Sequence, residues 1–108
     1  MAQNSVKALE LSSIASSGIG AAYLPINGTG FAKPIFFLRI VNGGSTAVTI
    51  SYDGVTDNEY IPVSGVFELS AQNNSQPAAQ IALFSARTIV YIKGTAGTGR
   101  IYVSGYYV

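Results

Sequence analysis

The sequence contains no cysteine, no histidine and no tryptophan, and only 10% of its residues are charged. Each absence removes a class of chemistry. Without cysteine there are no disulfides and no thiolate metal sites, and the redox compartment leaves no mark on the chain. Without histidine or cysteine, most general acid–base and nucleophilic machinery is missing. No serine lies in a G-x-S-x-G turn, and no spacing sets a serine against Lys7, Lys33 or Lys93 as a dyad. The basic residues Lys7, Lys33, Arg39, Arg87, Lys93 and Arg100 are scattered, so no stripe marks a nucleic-acid surface. The opening MAQNSVKALELSS has no basic segment ahead of an apolar one, and a secretory signal is not expected. The strongest apolar run, Ile35 to Leu38, ends at Arg39, far short of a bilayer span.

What is present is apolar and small. The chain is 48% hydrophobic over 108 residues, with a net charge of +1, and its charged share falls well below the usual level of about 25%. A surface so poor in charge has little to keep it apart from other surfaces, which points to a subunit buried in an assembly.

From residue 34 onward the pattern has period two. PIFFLRIVN places Ile35, Phe37, Arg39 and Val41 on one face and Phe36, Leu38 and Ile40 on the other, as a central strand covered on both sides would. TAVTISY alternates, with Val48, Ile50 and Tyr52 on one face. The NGGS between them predicts a hairpin. GVFELS, QIALFS, TIVYIK and the closing RIYVSGYYV read as further strands, with AQNNSQPAA as an exposed connection. Six or seven short strands punctuated by Gly, Asn and Pro predict an all-β antiparallel sandwich (jelly-roll or Ig-like) or a small barrel. Residues 1–33 differ: VKALELSSI suits a strand or one helical segment, and nine of the eleven residues Ser12 to Ala22 are Ser, Ala or Gly. That stretch reads as an extended arm apart from a 34–108 sandwich, or as a strand followed by a long loop.

Two stretches invite a functional reading. Three of the five carboxylates, Asp53, Asp57 and Glu59, fall within DGVTDNE. An acidic loop of this kind suits calcium, but the spacing is not that of an EF-hand, and Asx turn-making is the stronger reading; no metal or cofactor is expected. GTAGTGR lacks the Lys-Ser/Thr of a P-loop and the G-x-G-x-x-G order, and a strand follows it, so a hairpin connection is expected rather than a phosphate cradle. The sequons at Asn27 and Asn73 are coincidental in so Asn- and Ser-rich a chain. On the last strand Ile101, Val103, Gly105 and Tyr107 share one face, and Tyr102, Ser104, Tyr106 and Val108 the other. Tyr102, Tyr106 and Val108 are therefore candidate interface residues, unless a second sheet or the N-terminal segment covers them.

LRIVNGGSTAVTISYDGVTDNEYIPVSG and IVYIKGTAGTGRIYVSGYYV resemble small structural proteins of tailed bacteriophage virions. The resemblance spans about two-thirds of the chain, from Phe36 to Val108. It implies a non-enzymatic β-sandwich of the virion, made in the host cytoplasm: a capsid decoration or cement protein, or a head–tail or tail component. Its partners would be other virion proteins and copies of itself, with no nucleic acid and no membrane. The alternative is a carbohydrate- or receptor-binding module using DGVTDNEY with Tyr52 and Tyr60.

Overall fold

The computed structural model describes residues 7–70 and 84–107. Among the described residues nine strands form two antiparallel sheets. They are β1 (Lys7–Ala8), β2 (Ser12–Ala15), β3 (Leu24–Pro25), β4 (Phe37–Asn42), β5 (Val48–Ser51), β6 (Glu59–Ile61), β7 (Val66–Ser70), β8 (Tyr91–Gly94) and β9 (Arg100–Tyr107). β1 and β2 lie along the same side of β9 and act as one strand. A bulge interrupts it, where Glu10 and Leu11 fall between the Leu9–Gly105 and Ser12–Val103 positions. The larger sheet then runs β1/β2–β9–β4–β7, and the smaller one β3–β8–β5–β6.

The two orders correspond strand for strand. β2 leads across to β3, β8 to β9, β4 to β5 and β6 to β7, and all four crossings lie at one end. Four long strands are thus folded over their middles, each half in a different sheet. This is the connectivity of an eight-stranded jelly roll, and the two sheets form a sandwich rather than a closed barrel.

The core is what period-two patterning requires. Leu38, Ile40, Ile101 and Val103 point inward from the larger sheet, and Val48, Ile50, Ile61 and Ile92 from the smaller. Ile35 and Val90 close the far end, where Ile35 bridges Phe84.

Four expectations change. The strands on either side of NGGS do not pair with each other. β4 pairs with β7 and β9, while β5 pairs with β6 and β8, so the turn carries the chain from one sheet to the other. The GTAGTGR loop does the same between β8 and β9. Nor is β4 covered on both sides: Phe37, Arg39 and Val41 form part of an outer face that no second layer covers among the described residues. Residues 7–33 supply three strands, and Ile19, Ile26 and Phe31 join the core, so these residues belong to the sandwich itself and match neither the arm nor a single strand followed by a loop. The AQNNSQPAA connection and most of QIALFS lie outside the described residues.

The four crossings interlock. Ser16 N–H donates to the Gly99 carbonyl at 2.9 Å, and Gly94 N–H to that of Gly20 at 2.9 Å. Gly43 N–H reaches the Arg100 carbonyl at 3.0 Å, and Ser45 N–H that of Thr98 at 2.9 Å. Gly99, at φ +84°, lies so close to Gly43 that a Cβ would run into its carbonyl oxygen. Glycine is needed there for close backbone approach as well as for the dihedral.

The hinge of this end is Asn42, 1% exposed. Its Nδ2 donates to the carbonyls of Thr46 (2.9 Å), Ile61 (3.2 Å) and Pro62 (3.1 Å), while Oδ1 accepts from Gly44 N–H (2.9 Å). One carboxamide thereby ties the β4–β5 crossing to the β6–β7 crossing. A buried amide is tolerable when its hydrogen-bonding groups are used in this way.

Candidate functional site

β9 settles which tyrosines face outward. Ile101, Val103 and Gly105 are buried, so Tyr102, Ser104 and Tyr106 lie on the outer face of the larger sheet. Register then assembles their neighbours. Tyr102 sits opposite Val41 on β4 and Ser13 on β2, and Tyr106 opposite Phe37 and Ala8. Val41 in turn faces Val66 on β7. Phe37 and Tyr106 meet edge to face with centroids 5.6 Å apart, an arrangement aromatic rings favour. Among the described residues nothing from the smaller sheet or the N-terminal strands covers this face. Val108 lies outside the described residues.

One ion pair interrupts the apolar surface. Arg39 on β4 sits opposite Glu68 on β7, and its Nε and Nη2 both reach Glu68 Oε2, at 2.7 and 2.6 Å. Both side chains are nearly half exposed, so the pair contributes about 0–1 kcal/mol. Arg100, at the start of β9, shares this face: its Nε and Nη2 donate to Ser13 Oγ at 3.2 and 3.1 Å, and it has no carboxylate partner among the described residues. Phe37, Val41 and Val66 were not singled out as interface residues from sequence. For Phe37 and Val41 the signal was the presence of apolar residues on both faces of PIFFLRIVN, which a buried strand and an exposed docking face share; Val66 lies in GVFELS.

The acidic loop is a different object. It is the hairpin between β5 and β6, at the opposite end from the crossings. Asp53 Oδ1 accepts from Ser51 Oγ (2.8 Å) and from the N–H groups of Val55 (2.8 Å) and Thr56 (2.7 Å). The backbone bonds to Thr56 and Val55, then the Ser51 hydroxyl, hold its carboxyl far below the usual carboxylate range. This is Asx turn chemistry: the oxygen that a cation would need already caps the turn.

Asp57 points elsewhere. It accepts from the Tyr23 hydroxyl and pairs with Lys93 Nζ at 3.0 Å, and those two partners, Tyr23 first, hold its carboxyl low. Lys93 also lies 4.7 Å over the Tyr23 ring. Desolvation, then the bond to Asp57, pushes the Tyr23 hydroxyl up to about 12. The cluster pins the β2–β3 crossing to the β5–β6 hairpin across the smaller sheet. Glu59 sits opposite Ile50, away from the other two carboxylates. The three are not brought together, and among the described residues no three His, Cys, Asp or Glu side chains gather as metal ligands.

Tyr52 and Tyr60 are also separated. Tyr52 packs inward on Phe84 with centroids 4.7 Å apart, and burial pushes its hydroxyl well above the ordinary tyrosine value. Tyr60 stands opposite Thr49 on the outer face of the smaller sheet, 69% exposed. The pair cannot line one glycan site. Asn27, in the first sequon, is already engaged: its Nδ2 donates to the Thr88 carbonyl at 3.1 Å and its Oδ1 accepts from Val90 N–H at 2.9 Å. Comparison of the chain with protein-family models, with curated proteins and with solved structures finds no match.

Proposed function

We propose that this protein is a non-enzymatic structural subunit of a tailed bacteriophage virion, acting through subunit–subunit contacts on the outer face of its larger sheet. Its place would be as a decoration or cement protein of the capsid, or as a component of the head–tail junction or tail. The observation that carries the reading is the face itself. Phe37, Val41, Val66, Tyr102 and Tyr106 are placed together by register, the Arg39–Glu68 pair between them is neutral, and Arg100 stands at the crossing end of the face. Aromatic side chains in a desolvated patch are the usual anchors of protein interfaces. The jelly roll is an architecture common among viral shell proteins. Architecture alone carries no function, so the argument rests on the face and on the virion resemblance of the chain.

The mechanism would be burial. Copies or neighbouring virion proteins cover the aromatic face, and the charge-poor surface offers little repulsion to closing the contact. Replacing both Tyr102 and Tyr106 by Ser tests this. The double variant should keep most of its thermal stability, because both side chains lie outside the core, yet be incorporated into particles at least about tenfold less than the wild type. Equal loss of folding and incorporation, or unchanged incorporation, would count against the reading.

A further inference from the structure

A sheet has two lateral edges, and an edge strand with unpaired backbone groups invites another strand unless something blunts it. Three of the four edges carry such a device. The β1/β2 edge starts at Lys7 and is broken by the Glu10–Leu11 bulge. β3 is two residues long and contains Pro25. β6 is three residues long and is followed at once by Pro62. β7 runs for five residues, Val66–Ser70, with no lysine, proline or bulge. Its one charge, Glu68, is drawn back over the sheet by Arg39. Among the described residues, Val66, Phe67, Glu68 and Leu69 make their backbone pairs with β4 alone. The same side of the molecule exposes Tyr60, Val63 and Val66, at 69%, 50% and 57%.

We propose that β7 is a pairing strand and that its partner is β7 of a second copy of this chain, running antiparallel about a two-fold axis. The strand's own chemistry selects that partner. Its single charge is neutralised within its own chain, so nothing along the edge selects an oppositely charged protein or repels a copy. Size points the same way. The outer face is four strands wide and at most eight residues long, about 500 Å² in plan. A standard interface takes about 800 Å² from each partner. Pairing through β7 sets two such faces side by side, with Val41 and Val66 linking the tyrosines of each copy to the seam. The use of that joint platform rests on the proposed function; the pairing itself is a property of the isolated protein.

Sedimentation equilibrium of the purified full chain, combined with amide hydrogen exchange at residues 66–69, tests the pairing. The wild type should approach twice the 11.3 kDa chain mass as concentration rises, with these amides protected in the dimer. Val66→Lys puts a charge at the seam and should return the mass to one chain with loss of that protection. Val55→Lys, at a loop position 81% exposed, should leave the dimer intact. If Val66→Lys does not fold, diluting the wild type serves instead, and protection at 66–69 must fall as the mass halves. A wild type monomeric at every concentration, or a dimer that survives Val66→Lys, overturns the pairing. A monomer that still enters particles sinks the pairing and leaves the proposed function; a dimer found in no particle does the reverse.

Discussion

Asn42 shows how much can depend on one side chain. It satisfies three carbonyls and one amide at the point where two crossings meet. Replacing it by Ala would leave those groups buried and short of partners, at a cost of about 2–4 kcal/mol in urea unfolding. Asp at the same position has nearly the same shape but cannot donate to the carbonyls, so it should lose as much. A loss below about 0.5 kcal/mol in both variants would mean that the crossings are held without Asn42. In the sequence this residue was legible only as the first letter of a turn, because its partners Ile61 and Pro62 are contributed by a distant turn. Asp53 was legible in full, since its acceptors' partners lie within three residues of it.

Among the elements, the strands were easier to read than their pairings. TAVTISY alternates because one face of β5 is core, and that pattern is local. NGGS and GTAGTGR were legible as turns, but glycine-rich turn chemistry is the same whether the next strand returns to its own sheet or crosses to the other. The choice depends on partners such as Asn42 and Ile101, far apart in sequence. The N-terminal third misled for a related reason. Small residues such as those around Ser12–Ala15 bury little side chain, yet their backbone completes the edge of β9. The crossings give a direct test of glycine's role. Gly99 and Gly28 both have positive φ, at +84° and +63°, but only Gly99 is crowded. Ala at position 28 should cost about 1 kcal/mol, from the dihedral alone. Ala at position 99 must also displace the Gly43 backbone and should cost more than about 3 kcal/mol. Equal losses in thermal or urea unfolding would mean that the crossings do not pack as closely as described.

At the scale of the molecule, the fold separates two jobs. The crossings and the core hold the sandwich shut, with Asn42 and the glycines at one end and Ile35, Phe84 and Val90 at the other. The outer face of the larger sheet takes no part in that closure, and there Phe37, Tyr102 and Tyr106 lie beside β7, the edge that carries no blunting device among the described residues. Low charge, read from composition, led to the expectation of a surface suited to contact. It could not say which surface, because Phe37 and Val41 look like core until their sheet is seen to have no second cover among the described residues. The central claim is that this face is buried in a virion. A cryo-electron microscopy map of the particle that carries this chain tests it most directly. The account predicts density for the jelly roll, with Phe37, Val41, Tyr102 and Tyr106 covered by a neighbouring subunit. A map with no density for the chain, or with that face open to solvent, would contradict it.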